Sequence, residues 1–429
     1  MDTSVLDTIA ICVNALCWVV ASRLYIKKYK MSNLGVLYVL FYTILSLMAI
    51  HLYYDHPDSD PYDGQNLFGL LYLFSFILFF CIPMLKISGK KELVHQRGHT
   101  VAYMAIVITL LAVIGVSEDI ENFSSGMLQL ATDDEYGAEL YNELRNTSGS
   151  LSGNTSSATN YILVLSNTAK RIAPFFFLYY LSRPKINIFV FLGLALSTFL
   201  FFMNAISAGQ RSGIVVGVMN IAAFYFFMHK FYRKKIQRIV KPIVLSAGVI
   251  IVGALALITI SRATASNSTR NSTFSFVESY ACESILNFGQ YGMDPGGCRY
   301  GDRTFPLVKS FFTKDVAKTY YDRIVKYKKL KINEKRFITF VGDFTIDFGP
   351  VFGALVMLLL ILMFTGTMRS SGKIGVSHLC MVYLLINFLN GFYLYTLSDF
   401  GGNLVFLLFI MMYLFFTIKD RIICRIQRT

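Results

Sequence analysis

The sequence predicts an all-α polytopic membrane protein, and three observations carry that prediction. Apolar runs of about 20 residues recur along the whole chain, each long enough to cross a hydrocarbon layer of about 30 Å as a helix. The 429 residues are 55% hydrophobic, with a mean hydropathy of +0.53 and one tryptophan, which is not the make-up of a soluble domain. The basic residues also sort themselves by loop. About eleven transmembrane helices are expected, at 4–22, 33–54, 66–85, 99–116, 161–181, 186–208, 212–229, 242–261, 350–368, 376–397 and 402–418. Together they form one integral membrane domain over residues 1–429. The first run has no basic leader and no small-residue cleavage site, so it reads as a retained span.

Charge sets the expected orientation. The loops at 23–32, 86–98, 182–185, 230–241, 369–375 and 419–429 fall on one side. They carry more than half of the 40 Lys and Arg but only Glu92 and Asp420 of the 26 acids. By the positive-inside rule the N-terminus lies outside and the C-terminus inside. The net charge of +14 is then a topological signal, because its residues are spread over many loops. A lipid bilayer is the expected surrounding, and no nucleic-acid partner is expected.

Taken in order, the first four spans read as scaffold. The turn-rich acidic loop 55–65 has His51 and His56 beside it, but no spacing that makes a metal site. Loop 117–160 is acidic, then rich in Ser, Thr, Asn and Gly. It holds too little apolar surface to build a core, and a flexible external loop is expected.

The span 161–181 carries Lys170 and Arg171 near its middle. Arg171 stands about 15 Å from the end of the span at 1.5 Å per residue. A charge at that depth costs from about 2.5 kcal/mol upward unless it meets a cavity, a partner or a ligand. Apart from Asp7, no predicted helix holds a carboxylate to pair with it. The pair either snorkels or faces an anion. Pro174 follows and frees a backbone carbonyl.

The turn 207–213 (Ser-Ala-Gly-Gln-Arg-Ser-Gly) places Arg211 at the start of a descending helix. Free N–H groups and a guanidinium at that point favour a phosphate, although a lone Arg in a turn also serves as an interface anchor. Span 242–261 ends at Arg262, where the long external loop 262–349 begins.

That loop is polar and basic, without histidine. Phe276, Tyr280, Ile285, Leu286 and Phe288 recur at partly helical spacing. Cys282 and Cys298 both lie on the external, oxidising side, where a disulfide closing a loop of about 15 residues is worth up to about 3 kcal/mol. From 305 to 336, Lys309, Lys314, Lys318, Arg323, Lys326 and Lys328 interleave with Phe311, Phe312, Tyr320, Tyr321 and Tyr327. The pattern fits amphipathic helices on a membrane surface. It also fits a groove in which sugars stack on rings and anions meet lysines.

The run 339–353 (Thr-Phe-Val-Gly-Asp-Phe-Thr-Ile-Asp-Phe-Gly-Pro-Val-Phe-Gly) resembles the loop-to-helix re-entry of bacterial oligosaccharide repeat-unit polymerases, the O-antigen and capsule polymerases of Wzy type. The turn 209–212 is similar to their arginine turn on the outer face. The layout also resembles theirs: about eleven spans, external arginines and one large late loop. An Arg-x10-Gly pattern seen in some members is absent from the external loops.

The resemblance implies a metal-independent, inverting, GT-C-like glycosyltransferase of the bacterial inner membrane, with no cofactor. It would join undecaprenyl-diphosphate-linked oligosaccharides, with a chain-length regulator as a further partner. A diphosphate leaving group calls for fixed cations, for which Lys170, Arg171, Arg211 and Arg262 are candidates, with Lys318 and Arg323 on the loop. The attacking hydroxyl calls for a carboxylate, for which Asp347, Asp343, Glu278 and Glu283 are candidates. No metal-ligand cluster stands in the external loops. An O-antigen ligase would share the architecture but needs a loop histidine, and none occurs between His229 and His378. A transporter of lipid-linked glycans would show internal repeats, which are absent.

Overall fold

A computed structural model describes residues 3–54, 62–89, 92–96, 99–114, 157–207, 211–238, 273–332, 334, 336–368 and 372–426, besides 116, 120, 124 and 242. The expected span 242–261 beyond Pro242, Arg262, the turn residues 208–210 and nearly all of loop 117–156 lie outside the described residues.

The described chain is almost entirely helical. Its elements are α1 (Thr3–Tyr29), α2 (Leu34–Tyr54), α3 (Leu67–Ser88), β1 (Glu92–Leu93), α4 (Thr100–Val113), α5 (Ser157–Leu181), α6 (Ile188–Ser207) and α7 (Arg211–Met228). They continue with α8 (Thr273–Tyr291), α9 (Pro306–Ser310), α10 (Tyr320–Lys326), α11 (Phe340–Thr367), β2 (Lys373–Ile374), α12 (Val376–Leu389) and α13 (Phe400–Ile426). Among them 7 helices are long and apolar enough to cross a membrane: α1, α2, α3, α6, α7, α11 and α13. That is the build of a multi-pass membrane protein. The only sheet among the described residues is the two-residue parallel pair β1–β2.

The contacts divide the chain into two compact units. One comprises Met1–Lys90, Ser268–Ser371 and Asn387–Phe400. Several of the polar groups that its helices bury are paired, as burial favours. Asp7, buried in α1, accepts the N–H groups of Gly64 and Gln65 at 2.7 and 2.8 Å. Tyr38 and Tyr42, one turn apart on α2, donate to Asn390 Oδ1 and the Leu389 carbonyl. Gly35 is required where α2 meets α3, since a Cβ there would stand 2.7 Å from Leu85 N. Rings of Phe80, Phe340, Phe364 and Phe388 fill the space between α3, α11 and the end of α12.

The other unit comprises Lys91–Asn267, Gly372–Ile386 and Gly401–Thr429. Its core is an aromatic knot in which Phe175 of α5 meets Phe224 of α7, Tyr383 of α12 and Phe409 of α13, at ring separations of 5.1 to 5.5 Å. Lys170 is 3% exposed on α5, and Arg171 is half-buried, near Gly401. The helix carries both residues as the sequence expects.

Three expectations are corrected. The apolar run 376–397 is helical only over Val376–Leu389, about 21 Å of helix, because residues 390–399 turn back as an irregular strap. The end of the long loop is helical, since α11 starts at Phe340, ten residues before the expected span at 350–368. No disulfide joins Cys282 and Cys298: both thiols are free. The Cys282 thiol turns back along α8 to donate to the Glu278 carbonyl at 3.0 Å, while Cys298 sits against Gly349.

Gly349 divides α11. At φ 77° and ψ 161° it stands in a region of backbone space that is essentially glycine-only. Pro350 then opens the second half with its missing N–H where no donor is needed. A Cβ on Gly349 would meet only Cys298 Sγ, at an ordinary 3.5 Å, so substitution costs backbone strain and not a clash. Gly349→Ala is expected to destabilise by about 1–3 kcal/mol, read as a lower apparent unfolding temperature in detergent. An unchanged midpoint would mean that the break is not held there.

Candidate functional site: a buried ion network

The loop before α9 is wound tightly by residues at positive φ. Gly296, Gly297, Tyr300 and Gly301 have φ of 81°, 144°, 52° and 82°. This winding lays two backbone N–H groups on the end of the first half of α11. Arg299 N donates to the Ile346 carbonyl at 3.1 Å and Tyr300 N to the Asp347 carbonyl at 2.8 Å. The carbonyls left without partners by the break at Gly349 are thereby capped from another part of the chain.

The same winding drives three acids and three arginines together. Asp343 and Asp347 stand one turn apart on α11, both fully buried. Asp343 is fully used: Oδ1 accepts Arg303 Nε at 2.7 Å and Oδ2 accepts Tyr395 N from the 390–399 strap at 2.7 Å. Asp347 is not. Its Oδ2 accepts Thr304 N and Thr304 Oγ1, each at 2.6 Å, and Arg303 N at 3.2 Å, while its buried Oδ1 accepts nothing.

Glu334 gathers the guanidiniums. Its Oε2 lies 3.1 Å from Arg303 Nη1 and 3.2 Å from Arg323 Nε, and its Oε1 lies 2.5 Å from Arg299 Nε without hydrogen-bond alignment. Arg299 Nη1, 4.0 Å from Asp343 Oδ1, also makes no hydrogen bond. The Tyr395 hydroxyl, ringed by Phe344 and Phe388, is another buried polar group without a hydrogen-bond partner.

Charges this deep must balance, since an unpaired buried ion costs several kcal/mol. Burial alone would raise the Glu334 carboxyl, but Arg299, Arg303 and Arg323 outweigh it and hold it down at about 2. Burial disfavours the charged Arg303 as well, yet Asp343 and Glu334 keep it more basic than usual. A second cluster adjoins this one. Asp302 accepts Lys309 at 2.6 Å, Lys326 at 3.0 Å and the Tyr327 hydroxyl at 2.5 Å, and these partners lower its carboxyl despite burial. Lys326 is shared with Asp315 at 2.7 Å.

Of the expected site residues, this geometry brings together Asp343, Asp347 and Arg323. Arg323 is held by Glu334, and burial makes it less basic than usual. Lys318 is exposed and stands outside the network. Arg211 begins α7 as anticipated, Lys170 and Arg171 lie on α5, and Arg262 is outside the described residues. Glu278 is paired with His51 at 2.9 Å, and Glu283 accepts Asn287 Nδ2 at 3.1 Å.

Sequence reasoning missed Arg299, Asp302, Arg303, Glu334 and Tyr395. The available signal was the segment 296–303, where three glycines crowd two arginines and an aspartate. Among the described residues, no group of three or more His, Cys, Asp or Glu is placed to hold a metal ion.

Fold and site define a class: an all-α, multi-pass membrane-type protein with a charge-balanced ion network built into its longest polar segment. Compared with known proteins, the chain matches no family model, no curated protein and no solved structure.

Proposed function

We propose that this protein joins lipid-diphosphate-linked oligosaccharide units into a longer glycan, as a polymerase at the extracytoplasmic face of a bacterial inner membrane. One observation carries the reading. Asp347, at the broken end of α11, is a buried carboxylate with one oxygen committed to the loop and the other open. A hydroxyl nucleophile needs such a proton acceptor. Arg299 Nη1, buried and without a hydrogen bond in the same network, supplies a positive donor for an anionic or polyhydroxylated ligand. Both atoms are buried, so the surrounding loop must shift for a substrate to reach them.

In the reaction, the acceptor hydroxyl attacks the anomeric carbon of the donor sugar and its proton passes to Asp347. The bond to the lipid diphosphate breaks with inversion, and the diphosphate leaves as an anion. Asp343, with both oxygens bonded, positions Arg303 and the 390–399 strap and takes no proton.

The test is reconstitution. Purified protein in nanodiscs receives a lipid-diphosphate-linked oligosaccharide, and products are resolved by length. A ladder with release of lipid diphosphate supports the reading. Movement of the lipid across a vesicle without any new glycosidic bond would favour a transporter, and single transfer to a different acceptor would favour a ligase.

Arg211 is proposed, on its place at the first turn of α7, to bind a diphosphate. Arg211→Ala is expected to lower turnover by about 10²–10³ at unchanged protein abundance, with Arg211→Lys in between, since lysine loses the paired contact. Wild-type turnover in Arg211→Ala removes it from that role.

A further inference from the structure

Outside the ion network, one apolar feature of the polar segment stands without cover. Phe311 and Phe312, directly after α9, are 68% and 85% exposed. Tyr321 and Val325, one turn apart on α10, are exposed as well. Lys314 and Lys318 are exposed between the two helices; of the exposed acids nearby, Asp315 is already paired with Lys326 and Asp322 is bound to Thr319 in the cap of α10. Rings beside unpaired lysines suit the boundary between hydrocarbon and lipid phosphate, where aromatic side chains and snorkelling lysines collect.

The height of this feature follows from its anchor. The Phe305 ring, one residue before α9, lies 5.6 Å from Phe344 and 6.5 Å from Phe348. Phe348 immediately precedes the Gly349 break, beyond which Val351, Phe352, Leu355, Leu359 and Leu362 turn exposed apolar surface outward. That stripe belongs in lipid, so the break marks the membrane boundary. From Phe305 to Phe312 the short helix advances about 10 Å. The headgroup layer on one side of a bilayer is about 5–8 Å thick. The rings are therefore within reach of it.

We propose that Phe311 and Phe312 insert into the headgroup layer of the same bilayer that holds the second half of α11, with Lys314 and Lys318 meeting lipid phosphates. This seats Lys318 against lipid and not glycan, and it stands whether or not the polymerase reading does. The contact ties the loop that carries Arg299 and Arg303 to the membrane surface.

The test places a tryptophan at the tip. Phe312→Trp is reconstituted in nanodiscs of phosphatidylglycerol with phosphatidylcholine brominated near the headgroup, and the unmodified protein supplies the Trp18 background. The expected result is blue-shifted emission that loses its larger part to bromine and resists aqueous acrylamide. Phe311→Trp repeats the measurement at the neighbouring position. Adding Lys314→Ala and Lys318→Ala is expected to weaken bromine quenching in anionic nanodiscs, and unchanged quenching removes the lysines from the proposal. Red-shifted emission, open to acrylamide and untouched by bromine at both positions, overturns it. The same result with an emission change on adding soluble oligosaccharide would assign the rings to glycan instead.

Discussion

Asp347→Asn is expected to abolish joining, with a loss of about 10²–10⁴-fold in turnover, the usual contribution of a positioned acid or base. The substitution is chosen for what it keeps. An Asn oxygen can still accept Thr304 N, Thr304 Oγ1 and Arg303 N, so the loop retains its seat on α11. The side facing the open position becomes an amide that cannot take a proton. Product ladders should vanish and single lipid-linked units accumulate, with protein abundance close to normal. The removed charge also leaves the guanidiniums in excess, so a modest loss of stability accompanies it. A well-expressed Asp347→Asn protein that makes polymer at the parental rate would falsify the role of Asp347 as proton acceptor.

Glu334→Ala is expected to cost the loop about 3–5 kcal/mol, the usual penalty for breaking a buried ion cluster from one side. Three guanidiniums then face one another with only Asp343 and Asp347 left to neutralise them. Glu334→Gln keeps the shape and one acceptor, so its loss should be smaller.

The pH dependence has a defined sign. The folded Glu334 carboxyl is held at about 2 against an ordinary 4.5. A depressed value means that its stabilisation is complete above pH about 4.5 and disappears as pH falls toward 2, a contribution on the order of 3 kcal/mol. Limited proteolysis of the 292–339 segment should therefore accelerate over that acid window in the parent. Glu334→Gln, already weakened at neutral pH, should lack that component. Equal acid profiles for the two proteins would take Glu334 out of the network's energetics.

Much of the helical framework was legible in the chain. The expected spans 4–22, 33–54, 66–85, 186–208, 212–229 and 402–418 correspond to α1, α2, α3, α6, α7 and α13, because a long apolar stretch has no better way to satisfy its backbone in lipid. The Gly349-Pro350 pair announced a boundary, and the chain does break there. The run 376–397 misled because hydrophobicity reports burial and not regularity. The buried residues 392, 393, 395 and 397 belong to a strap packed in the interior, and the helix ends at Leu389.

The candidate site was legible only in part, and the reason is physical. Asp343 and Asp347 stood out because they lie in the 339–353 run and an attacking hydroxyl calls for a carboxylate. Their partners did not, because a charged residue in a polar loop looks the same whether water or another charge receives it. Arg303 meets Asp343 across 40 positions and Glu334 across 31, while Tyr395 reaches Asp343 across 52. Nothing local encodes such separations. Sequence by itself determined that this chain is helical, apolar enough for a membrane, and carries one long late polar segment in which basic and aromatic residues interleave. Tertiary structure alone decided which charges leave water, since burial is a property of how distant segments fold over one another. It thereby tied Arg323 to Glu334, closed Asp343 on both sides, and left Asp347 as the acid with an open oxygen.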